Sequence, residues 1–149
     1  MSIQLRRILL VEDNPNDAEL TMEGLVEHNL ANSVDWVKDG EEALEYLFCR
    51  GRYGDRNPAN PAVILLDLKL PKVDGLEVLR TIKVDESLKF TPVVVLTSSR
   101  EEQDMIESYR LGVNAYVVKP VNFHDFIDAV KELGAFWAII NEPPPLKRR

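Results

Sequence analysis

The sequence predicts a three-layer α/β domain built on a five-stranded parallel sheet, and three observations carry that expectation. Four apolar residues, Val63-Ile64-Leu65-Leu66, run straight into Asp67, as in a strand covered by helices on both faces. Short apolar runs alternate five times with helical patterns, without repeats or an internal linker, which calls for right-handed crossovers in a parallel sheet. Four of the five runs also end in a polar group that packing does not require: Glu12-Asp13, Asp67, Thr97 and Lys119. Open parallel sheets bind ligands outside the carboxyl ends of their strands, so such groups are placed for chemistry. Asp67 alone is equally readable as the cap of a turn.

The first strand is expected over residues 8–11. Asn14-Pro15 then supplies a helix cap with proline at the first helical position, and Asp17 adds negative charge to the first turn. Ala18, Met22 and Leu25 give that helix its apolar stripe, ending near Asn29. Residues 34–37 form a shorter, less apolar strand suited to a sheet edge. Asp39-Gly40-Glu41-Glu42 resembles a capping box, followed by Ala43, Leu44, Leu47 and Phe48 at helical spacing. Cys49 falls within this apolar helical pattern and is expected to be a small buried residue.

Residues 50–61 are rich in glycine, proline, asparagine and charge. They form a loop about twice the usual ~4–6 residues, and long loops often contact partners. After the Asp67 strand, Asp74-Gly75 opens a helix carried by Leu76, Leu79 and Ile82, which ends before Thr91-Pro92. The fourth strand covers 93–96. Ser99 and Glu102 cap a helix through Met105, Ile106 and Tyr109, closed by Gly112. The fifth strand covers 115–118 and ends in Lys119-Pro120, and Phe123, Phe126, Ile127, Val130, Leu133 and Trp137 build the last helix.

Composition bounds the function. The 149 residues are 45% apolar and 29% charged with a net charge of −7, which suits one globular domain and argues against a surface for nucleic acid or anionic lipid. A single cysteine permits no internal disulfide, and no apolar run approaches a membrane span. The expectation is a cytoplasmic protein without membrane association. Residues 141–149, proline-rich and ending Lys147-Arg148-Arg149, are expected to be disordered, and residues 1–140 to form the domain.

Three carboxylates converging at the strand tips repel one another unless a cation sits among them. A hard divalent ion such as Mg²⁺ prefers oxygen ligands, commonly one or two carboxylates plus phosphate oxygens. A carboxylate can also attack phosphorus to form an acyl phosphate, a reaction that asks the protein mainly for positioning and charge neutralisation. In this scheme Asp67 attacks, Asp13 and Asp67 hold the metal, Lys119 covers phosphoryl charge, and Thr97 donates a hydroxyl hydrogen bond. Singly, Lys119 is a surface lysine and Thr97 a turn residue; jointly and in this order they are not.

These residues resemble the receiver domains of two-component response regulators. The resemblance spans residues 8–137 and rests on Glu12-Asp13, Asp67-Leu68-Lys69-Leu70-Pro71 with Asp74-Gly75, Thr97, and Lys119-Pro120. It implies the flavodoxin-like, CheY-like strand order 2-1-3-4-5, with Asp67 as phosphoacceptor and Mg²⁺ (or Mn²⁺) as cofactor. The metal would be held by Glu12, Asp13, Asp67 and the backbone carbonyl of Lys69. Thr97 and Tyr116 would be a switch pair, in which the hydroxyl moves to the phosphoryl group and the ring turns inward, although Tyr116 also reads as a static exposed aromatic. Lys119 would contact the phosphoryl group, and the Lys119-Pro120 bond would be cis. Lys69 and Ser99 stand at positions that tune phosphoryl lifetime. A protein of this kind catalyses only its own phosphorylation and dephosphorylation.

A narrower resemblance is to single-domain regulators that pair with cyanobacterial-type or bacterial phytochrome histidine kinases. It is carried by Arg50-Gly51-Arg52-Tyr53-Gly54-Asp55-Arg56, by Ser108-Tyr109-Arg110-Leu111-Gly112-Val113-Asn114, and by Phe136-Trp137. The implied phosphoryl donor is a kinase phosphohistidine. Without an output domain, such a protein signals by association. Phe136, Trp137, Ala138, Ile139 and Ile140 are apolar in succession, so one helix cannot turn them all to its own core; Phe136, Trp137 and Ile140 are the expected homodimer surface unless the chain end folds back over them. His28 and His124 lack partners at catalytic spacing.

Two other classes compete. A dimerising adaptor could bind its kinase without phosphorylation, against which the complete acceptor site argues. An aspartyl-phosphate hydrolase needs a second aspartate two residues after the nucleophile, where this chain has Lys69, and a flavin-binding relative needs a phosphate loop where Glu12-Asp13-Asn14-Pro15-Asn16 would repel phosphate.

Overall fold

A computed structural model describes residues 7–27, 34–97, 110–113, 115–119 and 121–132. Five parallel strands, β1 (Ile8–Val11), β2 (Val34–Val37), β3 (Val63–Asp67), β4 (Val93–Thr97) and β5 (Tyr116–Val118), lie in the order β2-β1-β3-β4-β5. Four described helices flank them: α1 (Pro15–Glu27), α2 (Gly40–Phe48), α3 (Gly75–Val84) and α4 (Phe123–Glu132). The helix expected after Ser99 lies outside the described residues apart from Arg110, as do Leu133, the Phe136–Trp137–Ile140 surface, residues 141–149, His28 and Pro120 with its peptide bond.

The period of two along each strand sorts one apolar run into two cores. Ile8, Leu10, Val63, Leu65, Val94 and Leu96 face α1 and α4, packing with Ala18, Leu25, Phe126 and Val130. Leu9, Val11, Ile64, Leu66, Val93 and Val95 face α2 and α3, packing with Ala43, Tyr46, Leu47, Val78, Leu79 and Ile82. Every residue of β1 and β3 is therefore buried, which is why those runs show no polar alternation. Truncating one of them, such as Leu66→Ala, costs roughly 2–5 kcal/mol. β2 is the half-buried edge strand that its composition predicts.

The helix starts follow the sequence closely. Asn14 Oδ1 accepts from the backbone N–H of Asn16 and Asp17, capping α1. Asp39 Oδ1 caps α2 by accepting from Glu42 N at 2.7 Å, but the reciprocal carboxylate of Glu42 reaches Lys38 N, one residue earlier than a regular capping box. Cys49 corrects its expectation. It is half-buried at the C-cap of α2, in left-handed backbone geometry (φ 56), and is not a core residue. α3 stops at Val84, and a single 3₁₀ turn (Leu88–Phe90) fills the space before β4.

Strand order reverses between β1 and β3, so their carboxyl ends border the crevice where such sheets take ligands. Val11 pairs with Leu66, which sets Glu12 beside Asp67.

Candidate functional site

Asp67 makes both of the contacts that its sequence position left open. Its Oδ1 accepts from Lys69 N at 2.9 Å, the turn-capping role, while Oδ2 faces the crevice and accepts from Lys119 Nζ at 2.8 Å. The turn is tight: Gly75 N donates to Leu68 O at 3.1 Å, and a Cβ on Gly75 would lie 2.4 Å from Leu68 Cα. Only glycine allows α3 to start this close to the end of β3.

Glu12 is fully buried at the end of β1 and Asp13 beside it is exposed. One carboxylate oxygen from each of Glu12, Asp13 and Asp67 falls within 4.8 Å of the others. This is a hard, all-oxygen donor set open to solvent on the Asp13 side, and it fits a divalent cation of the Mg²⁺ or Mn²⁺ kind that keeps several waters. Glu12 Oε2 also accepts from Asn14 N, and the Trp36 indole donates to the Glu12 carbonyl at 2.7 Å, so the backbone of the acidic pair is held from two sides.

Lys119 leaves β5 with its backbone N–H on the Thr97 carbonyl at 2.7 Å and carries its ammonium into the acid cluster. There it meets Glu12 Oε1 at 3.0 Å, Asp17 Oδ2 at 3.1 Å and Asp67 Oδ2 at 2.8 Å. Both ends of the Glu12–Lys119 pair shift upward, which favours the charged lysine but the neutral glutamic acid. Burial works against the ammonium, but hydrogen bonds to Asp67 and Glu12 outweigh it and hold Lys119 above the usual lysine range. Glu12 is pushed up to about 7, first by burial and further by the charge of Asp67, against the pull of Lys119. One cation cannot keep several close carboxylates ionised, and the most buried acid is the one that tends to neutrality. That residual imbalance is what a divalent ion would relieve.

Thr97 ends β4 half-buried, on the same sheet face as Val93 and Val95 and hence as Tyr116. Tyr116 is half-buried against the α2/α3 core and its hydroxyl donates to the Val113 carbonyl at 2.8 Å, so it is not a free exposed ring. The structure thus brings together Glu12, Asp13, Asp67 and Lys119 at one crevice. Lys69 lies at its rim through its backbone, and Thr97 and Tyr116 lie on the adjoining strands. His124 is exposed in the first turn of α4.

Sequence reading missed Asp17 as a partner of Lys119, assigning it only to the helix terminus. Helical side chains lean toward the N-terminus, so an acid in the first turn after a strand tip leans back over that tip. That signal was present four residues beyond Asp13.

Several known proteins share this architecture. A structure of the bacteriophytochrome response regulator AtBRR is 60% identical with a TM-score of 0.86, covering 94% of this chain and 100% of that one. Response regulator Rcp1 of Synechocystis sp. is 44% identical over 130 residues, 87% of either chain. The Mn²⁺-bound form of Rcp1 superposes with a TM-score of 0.73 at 41% identity, covering 94% of this chain and 99% of that one. The family described as response regulator receiver domain matches residues 8–131. With an acidic crevice at the β1/β3 switch point and a match along most of its length, this chain belongs to the response regulator receiver domain family.

Proposed function

We propose that the protein is a single-domain response regulator that takes a phosphoryl group on Asp67 from a phosphohistidine of a sensor histidine kinase. The observation that carries this reading is the divided carboxylate of Asp67: Oδ1 is fixed on Lys69 N, and Oδ2 stands in the crevice against Lys119 and the Glu12–Asp13 pair. In the transfer, the crevice oxygen of Asp67 forms a bond to phosphorus. The bond from phosphorus to the histidine nitrogen breaks, its electron pair leaves with the imidazole, and Asp67 becomes an acyl phosphate. Glu12, Asp13, Asp67 and the Lys69 carbonyl would hold Mg²⁺ or Mn²⁺. When bound, the ion supplies positive charge to the phosphoryl oxygens. Lys119 covers a second oxygen, and Thr97 donates its hydroxyl to a third while the Tyr116 ring responds on the same face.

Likeness to the bacteriophytochrome response regulator AtBRR supports a phytochrome as the kinase. The output is homodimerisation through the final helix, with Phe136, Trp137 and Ile140 in the surface, and the protein acts in the cytoplasm without nucleic acid or membrane partners. The receiver unit is residues 1–140, and residues 141–149 lie outside the described residues.

The test is incubation with acetyl phosphate and Mg²⁺, reading intact mass and oligomeric state for the wild type and Asp67→Asn. A gain of one phosphoryl mass that needs both Asp67 and Mg²⁺ is expected, with a concurrent change of size. No gain under conditions that phosphorylate a control receiver would leave a phosphorylation-independent adaptor as the function.

A further inference from the structure

We propose that Asp17 is a positioning residue for phosphoryl transfer: it holds the Lys119 ammonium from the α1 side, so that the cation stays aimed into the crevice while Asp67 changes its bonding. The inference rests on the reading of Asp67 as the acceptor. An ammonium has three N–H donors and no acceptor. Here they are spread over three carboxylates: Asp67 Oδ2 at 2.8 Å, Glu12 Oε1 at 3.0 Å with Oε2 at 3.3 Å, and Asp17 Oδ2 at 3.1 Å.

The three partners have different fates. Glu12 and Asp67 belong, with Asp13, to the donor set that fits a divalent cation, and each then shares its lone pairs with the ion. Asp67 in addition commits an oxygen to phosphorus. Asp17 belongs to neither event. Its backbone is pinned by the Asn14 cap, with Asp17 N donating to Asn14 Oδ1 at 3.1 Å, and its carboxylate is one-third exposed at the edge of the cluster. Asp17 is therefore the partner whose hold on Lys119 survives metal binding and transfer alike. The ammonium turns one N–H from Asp67 to an incoming phosphoryl oxygen about that anchor. A donor aimed in advance needs no reorganisation when charge develops, which is where such groups gain their effect.

Two simpler roles for Asp17 make different predictions. As a helix-terminal charge alone it would affect stability and leave transfer untouched. As a bare negative charge it would repel the anionic donor, and its removal would speed the reaction.

Wild type, Asp17→Asn and Asp17→Glu are compared in two ways. At saturating Mg²⁺ the rate of mass gain from acetyl phosphate is read; without metal, the NMR signal of the Lys119 ammonium protons is read, which persists only while hydrogen bonds slow their exchange. Loosening a donor costs less than the ~10²-fold of deleting one, and the expected slowing in Asp17→Asn is about fivefold. Asp17→Glu restores most of that rate. The metal-free ammonium signal weakens in Asp17→Asn and persists in Asp17→Glu. A wild-type or faster rate in Asp17→Asn overturns the proposal, and so does an ammonium signal unaffected by that substitution. A wild type that gains no mass overturns the acceptor reading instead, while the metal-free signal still reports whether Asp17 holds Lys119.

Discussion

Lys119 donates to Asp67 across 2.8 Å although β4 stands between their strands, so the side chain spans the tip of β4 to reach the end of β3. The two residues are 52 positions apart, and the same ammonium also pairs with Glu12 and Asp17. Removing it leaves buried acids without a counter-charge.

Lys119→Ala is expected to lower the stability of the metal-free protein by about 2–3 kcal/mol, below the full cost of orphaning a buried charge because Glu12 can take up a proton. Mg²⁺ supplies the missing charge, so the variant should gain more in Tm from saturating Mg²⁺ than the wild type does. Thermal melts with and without Mg²⁺ check this. An equal gain in both proteins would mean that Lys119 does not balance the cluster.

Gly75→Ala places a methyl group 2.4 Å from Leu68 Cα and 2.5 Å from the Asp67 carbonyl oxygen, both backbone atoms that cannot yield without moving the end of β3. Overpacking of this kind costs about 1–3 kcal/mol or more. Because the displaced segment carries Asp67 and the Lys69 N–H, acetyl phosphate labelling should slow in the fraction that remains folded. Denaturant melts and labelling rates on the same sample separate the two effects.

Metal affinity should depend on pH through Glu12. Its pKa is pushed up to about 7 from near 4.5, so the folded, metal-free protein binds this proton more tightly than the unfolded chain. The sign follows: that contribution to stability is complete below about pH 4.5 and is lost as pH rises toward 7. A divalent ion must displace the same proton, and Mg²⁺ is expected to bind about tenfold more weakly at pH 6 than at pH 8. Calorimetry should show proton release at pH 6 that disappears in Glu12→Gln. Affinity that does not change between these values would place Glu12 outside the metal set.

The strands and their tips were legible because burial on both faces leaves a compact signature, an unbroken apolar run that stops at a charge. Residues 63–67 and 8–13 carry it, and the structure puts both where the pattern implies. What sequence could not show is where long side chains go. Asp17 serves the helix terminus and Lys119 at once, and only coordinates tell which oxygen faces which nitrogen. Tyr46, one residue before the expected stripe position Leu47, is buried at 2% exposure because the loop that follows folds over it. Its spacing from Ala43 already puts it on the buried face of α2, but its contacts with residues 35, 53 and 56 join segments that no local period links.

The segment between α2 and β3 has an order that its composition conceals, and Tyr46 is its centre. The Tyr46 hydroxyl donates to Asp35, which also pairs with Arg7 through two hydrogen bonds. Tyr53 meets the Tyr46 ring edge-on at 5.2 Å, and the Arg56 guanidinium stacks 4.1 Å from its centroid while Arg56 Nε donates to the Tyr46 carbonyl. Burial, reinforced by the bond to Asp35, raises the Tyr46 pKa above the usual phenol range and keeps the hydroxyl a donor at neutral pH. Tyr46→Phe keeps the ring, both aromatic contacts and the Arg7–Asp35 pair, and so should cost only about 1 kcal/mol, the net worth of one hydrogen bond. Tyr46→Ala removes the platform on which the segment rests, and should cost about 3–5 kcal/mol and expose residues 50–61 to proteolysis. Urea melts together with limited trypsin digestion, which cuts after Arg50, Arg52 and Arg56, test the pair. Equal protection of these sites in Tyr46→Ala and wild type would show that the segment is held by Arg52–Glu45 and Tyr53–Glu42 without the ring.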